Sequence, residues 1–160
     1  KDTLLNIEET KEFVCSLATY GLRDQMNMSS ATVSKDVNEF DLANLKSVQS
    51  RLVAPLRIAD SPAALECKLW KVIPIPKGPE NESASCYSMI LGFVVGVFID
   101  DEYLSGGLFD TAKAGLMGRM GYMDYCQVTP ENTFSLNRPK VSDDGRDASL
   151  QPGSWDGEYT

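Results

Sequence analysis

A chain of 160 residues with 42% hydrophobic and 24% charged side chains carries enough apolar material for one self-sufficient core, which excludes disorder as its general state. A formal net charge of −8 and an isoelectric point near 4.5 exclude a phosphate-backbone binder, because counterion release needs a concentrated Lys/Arg surface. The longest apolar run, "MILGFVVGVFI", is far shorter than the roughly 20 residues of a membrane helix, so neither nucleic acid nor membrane is expected as a partner.

The opening "KDTLLNIEET" reads as a short helix over residues 2–12, with Asp2 or Thr3 as N-cap, Leu4 and Ile7 on the buried side and Leu5 at its margin. Lys1, Asp2 and Thr3 place a cation, a carboxylate and a hydroxyl where a helix has free backbone N–H groups. That grouping suits a phosphate; read alone it is also an ordinary helix cap with a solvated lysine.

"EFVCSLAT" alternates Phe13, Cys15 and Leu17 with Val14, Ser16 and Ala18, the period of a strand. "GLRDQMNMSS" reads as a second helical stretch, and "VSKDVNEFDLANLK" as a loop with one short helix turning Phe40, Leu42 and Leu45 inward. "PLRIADSP", with a proline at each end, reads as an extended connector.

"AALECKLWKVIPIP" then alternates Leu65, Cys67 and Leu69 with Glu66, Lys68 and Trp70, a strand whose second set faces water. "KGPENESAS" supplies turn chemistry, and "CYSMILGFVVGVFID" reads as the long second arm of a hairpin. Gly92 and Gly96, evenly spaced, are expected on one face, where they permit coiling or close backbone approach; a coiled strand points to a barrel.

"DDEYLSGGLFD" groups acids beside glycines but lacks the ligand spacing of a calcium loop, so it reads as a solvated turn. "DTAKAGLM" is a helix candidate capped by Asp110 or Thr111, and "GYMDYCQV" reads as the last strand. Residues 140–160 read as a polar tail.

Cys15, Cys67, Cys86 and Cys126 are widely spaced and histidine is absent, so buried, reduced thiols are expected and no metal site. Met117, Met120 and Met123 stand three apart in "LMGRMGYMDY", where gap-filling in a core is favoured over a soft-metal box. No serine nucleophile motif, Walker loop or G-x-G-x-x-G fingerprint occurs. Chemistry poor in side-chain acids and bases points to a cofactor enzyme, in which the protein supplies position and exclusion of water.

"KDTLLNIEETKEFVCSLAT", "EFDLANL", "SRLVAPLRIADSPAALECKL", "GFVVGVFIDD" and "RMGYMDY" resemble, in order, successive blocks of the flavin reductase-like family with the FMN-binding split barrel, across residues 1–139. The resemblance implies a mainly β fold, a split β-barrel with short helices and Greek-key-like order. It implies FMN as cofactor, with phosphate contacts from Lys1 and Thr3 and a capping or orienting role for Asp2. Arg119 and Tyr122 become candidate lining of the nicotinamide or flavin pocket. It further implies a cytoplasmic homodimer that passes hydride from NAD(P)H to flavin; a non-enzymatic FMN-binding module, a redox sensor or partner subunit, is the alternative. The strands that precede the Lys-Asp-Thr segment in the family have no counterpart here, so a further N-terminal part of the domain is expected ahead of residue 1.

Overall fold

The computed structural model describes residues 2–78, 87–155 and 157. Lys1, residues 79–85 of the turn segment "KGPENESAS", and Cys86 lie outside the described residues.

Helix α1 (Asp2–Thr10) leads directly into strand β1 (Glu12–Ser16) through Lys11, whose φ is 60°. Only Ile7 of α1 is buried; Leu5 is half exposed. The helix already includes Asp2, so Asp2 and Thr3 occupy its first turn rather than its cap. After a 3-10 turn (Tyr20–Leu22) come the short helices α2 (Arg23–Met28) and α3 (Glu39–Leu42). In α3 the sequence expectation is half right: Phe40 is partly buried, but Leu42 is exposed and Ala43 takes the core position, because the helix ends after one turn.

The main sheet has the order β1-β4-β5, with β4 (Ala63–Pro74) at its centre and β5 (Ser88–Ile99) antiparallel to it, the long hairpin expected from the two apolar runs. Among the described residues four two-stranded ribbons complete the β structure. They are β2 (Ser47–Val48) with β3 (Arg57–Ile58), β6 (Leu104–Ser105) with β7 (Leu108–Phe109), β8 (Met117–Arg119) with β9 (Tyr125–Gln127), and β10 (Lys140–Val141) with β11 (Ala148–Ser149). No helix among the described residues is long and apolar enough to cross a membrane.

The alternation along β4 breaks where it matters most. Glu66, expected to be wet, is 4% exposed, whereas Leu65, expected inside, is 40% exposed. The register explains it: Glu66 pairs with Gly96 and Cys67 with Val94, so Val95 is an extra residue on β5 and the sheet bends between them. The same bulge puts the two glycines on opposite faces instead of one. A Cβ on Gly92 would lie 2.5 Å from the Phe13 ring, and one on Gly96 would lie 3.0 Å from the Leu52 side chain, beside Glu66.

Into that bend folds the irregular segment 49–56. The Glu66 carboxylate accepts the N–H groups of Arg51 at 2.9 Å and Leu52 at 2.6 Å, and Glu12 of β1 accepts that of Ala54 at 2.8 Å. Arg57 stacks 3.5 Å over the Phe98 ring and adds its charge to the same region. A buried carboxylate is tolerable only when its lone pairs are satisfied, and here backbone donors satisfy them.

Three other expectations change. Residues 111–115 form turns, not a helix, and Met117 already belongs to β8: Asp110 accepts the Lys113 N–H as a cap would, but Gly115 at φ 61° stops the chain after one turn. Residues 140–149 form a β hairpin, so "GYMDYCQV" does not hold the last strand. Met120 and Met123 are 56% and 81% exposed, because their segment is a strand and a turn outside the core.

The Arg51 N–H foremost, with those of Leu52 and Val53 and the Arg57 charge, holds the Glu66 carboxyl below its ordinary value of 4.5, against the opposing push of burial. Folding therefore gains from Glu66 in full above that ordinary value and loses the gain as pH falls through the lowered one. Glu66→Ala is expected to cost on the order of 3 kcal/mol in urea unfolding at neutral pH, from two charge-assisted hydrogen bonds. Glu66→Gln is expected to cost less and to flatten the acid limb of the stability profile. An unchanged acid limb in the glutamine variant overturns the assignment.

Candidate functional site

Two clefts lie on either side of α2 and share Met26 in their walls. The larger encloses about 1010 Å³ and runs along α1 and β1. Thr3, Asn6, Ile7 and Thr10 enter it from α1, a spacing of three to four that keeps them on one side of the helix. Among the described residues strand β1 is an edge of its sheet, paired with β4 alone, so alternate backbone groups of β1 point away from the sheet. Phe13, Val14, Leu17, Leu45, Leu56 and Ile58 give the rest of the wall an apolar character.

At the helix start Thr3 reaches this cleft, while Asp2 is turned toward Lys35, whose Nζ lies 3.9 Å from the Asp2 carboxylate. Lys35 brings a cation beside the first turn of α1 that no local sequence pattern announces. Free N–H groups of a first helical turn, a threonine hydroxyl and a nearby ammonium make a place where a phosphate dianion is stabilised.

The smaller cleft, about 390 Å³, lies between the 20–28 segment and the β8–β9 ribbon. Arg119 lines it: its Nη1 donates to the Tyr125 hydroxyl at 2.6 Å, its Nη2 donates to the Tyr122 carbonyl, and its guanidinium lies 4.7 Å from the Tyr125 ring centre. The Tyr122 side chain is 95% exposed at φ 56°, and the residue contributes only its carbonyl to this arrangement. Tyr125, not Tyr122, is among the residues lining this cleft. Arg23 and Tyr20 on the opposite wall repeat the pairing, the guanidinium 4.4 Å from the ring centre. Sequence patterns do not connect residues 20–23 with residues 119–125. The backbone does: Met117 N–H donates to the Ala18 carbonyl and Tyr20 N–H to that of Gly115.

No family model matches the chain. It is 32% identical over 142 residues to the uncharacterised protein BH2278 of Halalkalibacterium halodurans, covering 89% of this chain and 66% of that protein. To an uncharacterised protein of Aquifex aeolicus it is 35% identical over 134 residues, covering 82% and 63%. The chain thus spans a little under two thirds of the length of these relatives. Among solved structures, nitrilotriacetate monooxygenase component B from Bacillus cereus superposes with a TM-score of 0.75 at 23% identity, covering 85% of this chain and 65% of that one. The 2-nitrobenzoate 2-nitroreductase of Pseudomonas fluorescens gives 0.72 at 24%, covering 89% and 68%. The FMN-binding domain of a flavin reductase-like enzyme from Shewanella baltica gives 0.65 at 17%, covering 86% and 69%.

The chain has the split-barrel fold of these flavin reductase-like proteins. The fold expected from the ordered sequence blocks is therefore borne out, and the blocks acquire places in this split barrel. Asp2 and Thr3 of "KDT" open the helix beside the larger cleft, "SRLVAP" is the segment gripped by Glu66 and Glu12, and "RMGYMDY" forms part of the ribbon of the smaller cleft.

The cysteines divide by environment. Cys67 is buried, and burial foremost, with the neighbouring Cys15 thiol, pushes its thiol up; Cys15 and Cys126 are exposed, contrary to the expectation of general burial. Alkylation of the native split barrel with a maleimide is expected to modify Cys15 and Cys126 and to leave Cys67 at least about tenfold slower, by peptide mapping. Equal labelling of Cys67 overturns the placement of β4 in the core.

Proposed function

We propose that this split barrel binds FMN along α1 and β1 and acts, as a homodimer, in hydride transfer from NAD(P)H to flavin. The observation that carries the reading is the opening of the α1 N-terminus into a 1010 Å³ cleft that is polar at the helix and apolar beyond it. The residues fit the cofactor: hydrogen-bond donors at one end suit a phosphate, and an edge strand with apolar neighbours suits a flat heterocycle with polar margins. The flavin reductase-like fold supports the same assignment.

When bound, FMN supplies the two-electron chemistry. The first-turn N–H groups of α1 and the Thr3 hydroxyl bind the phosphate, with Lys1 as the further contact ahead of the helix. Asp2 orients this turn, and Lys35 offsets its negative charge. Asn6 and Thr10 carry polar contacts along the helix, although the Thr10 hydroxyl already donates to the Asn6 carbonyl at 2.8 Å. Phe13, Leu17 and Leu56 exclude water from the cleft. Arg119 lies on the neighbouring cleft, apart from the residues proposed to hold FMN. The sequence holds no histidine, and transfer of a hydride asks for no side-chain base.

Titration of FMN and riboflavin into wild type and variants tests the site, and NADH and NADPH oxidation with added flavin tests the reaction. Thr3→Ala and Lys1→Met are each expected to lower FMN affinity roughly ten- to a hundredfold, since each removes a contact to a charged group, while riboflavin binding changes far less. Equal weakening for both flavins sinks the phosphate assignment. FMN binding without NAD(P)H turnover reduces the reading to a binding module. FMN is also expected to slow maleimide labelling of Cys15, which lines the same cleft.

A further inference from the structure

The smaller cleft has a chemistry of its own. Its titratable walls carry Arg23 and Arg119 against a single carboxylate, Asp24, a local excess of one positive charge in a chain of net −8. Asp24 is 3.5 Å from Arg23, and among the described residues Arg119 forms no ion pair. Its partners are a phenol, a carbonyl and the Met123 thioether at 3.6 Å. A guanidinium has five N–H donors in a planar fork, so both arginines retain donors after these bonds.

Both forks are also held in place. Each lies over a tyrosine ring, Arg23 over Tyr20 and Arg119 over Tyr125, so little rotamer freedom remains to be lost when an anion arrives. Met26 on the α2 wall and Met117 and Met123 on the ribbon wall also line the cleft. Polarizable sulfur suits the face or edge of an aromatic ring, and the arginine fork suits a carboxylate bidentately. A soft cation is disfavoured in the same place by the two guanidinium charges.

From this juxtaposition we infer that the cleft between α2 and the β8–β9 ribbon binds a small aromatic carboxylate, its acid group on Arg119 and Arg23 and its ring against the methionines. This goes beyond the flavin reading, since binding here requires no flavin. The same ring-plus-anion chemistry is present in a nicotinamide nucleotide, and the experiment separates the two.

Isothermal titration of the full chain, without flavin, uses benzoate, its neutral isostere benzamide, acetate and nicotinamide mononucleotide. Benzoate is expected to bind with a Kd of about 1 mM or tighter and at least about tenfold better than benzamide or acetate. Arg119→Gln is expected to weaken benzoate about tenfold and to leave benzamide unchanged, with Arg119→Lys recovering part of the loss. Amide chemical-shift changes on benzoate addition are expected at Arg23, Arg119 and Cys126, a readout independent of whether the variants fold. Four results overturn the inference: no benzoate binding, equal binding of benzoate and benzamide, unchanged binding in the folded Arg119→Gln variant, or tighter binding of nicotinamide mononucleotide than of benzoate. None of these bears on FMN at the larger cleft, so the two readings fail separately.

Discussion

The architecture around the clefts depends on one buried carboxylate. Glu66 sits at the bend of the central hairpin and takes the N–H groups of Arg51 and Leu52, while Glu12 on the neighbouring strand takes that of Ala54. Segment 49–56, of which only Ser50 and Val53 are buried, has no ladder to satisfy its own amides. Here two glutamates substitute for a strand. Gly96 contributes by omission, since its missing side chain leaves room for Leu52 above Glu66. The residues immediately beyond, Ala54, Pro55 and Leu56, form part of the larger cleft, so the clamp that folds the loop also fixes a wall of the site.

Why Glu66 is not visible in the sequence follows from the same bend. Period-two alternation assigns it to the wet side of β4, and the assignment holds for Lys68 and Trp70, both exposed. A bulge on β5 leaves no mark in the sequence of β4, yet it moves the buried face from Ala64 and Glu66 to Cys67 and Leu69. Elements whose signal is local were legible: α1, β1, α2, and the long arms β4 and β5 stand close to where periodicity puts them. The helix expected over 110–117 had the correct cap chemistry in Asp110. It failed because one capped turn does not nucleate a helix when a residue five places on adopts the left-handed conformation.

The sites divide along the same line. "KDT" is contiguous, so its fitness for an anion can be read from three letters and the helix that follows. The smaller cleft is assembled from residues about a hundred positions apart, and only the hydrogen bonds that lay β8 alongside Ala18 and Tyr20 bring them together. Arg119, a candidate in the sequence, does line the smaller cleft, whereas a left-handed turn at Tyr122 throws its ring into solvent and Tyr125 lines the cleft instead. Lys35 is beyond sequence reasoning altogether, since nothing in "VSKDV" relates it to the first turn of α1.

The partition between the clefts is thinner than either site. Helix α2 has six residues and buries none of them, so it draws little stability from a core of its own. Its C-terminal end is tied by the Ser29 hydroxyl, which donates to the Met26 carbonyl at 2.8 Å, and its N-terminal end by the Arg23 donation to the Tyr20 carbonyl at 3.0 Å. Tyr20 is in turn bonded to Gly115, next to the strand that carries Arg119. The 20–28 segment is thus positioned chiefly through the backbone of β8 and its approach, and Met26 presents itself to both clefts from that one support. The β8–β9 ribbon and its approach therefore position a weakly packed helix, which stands as a spacer between the two clefts.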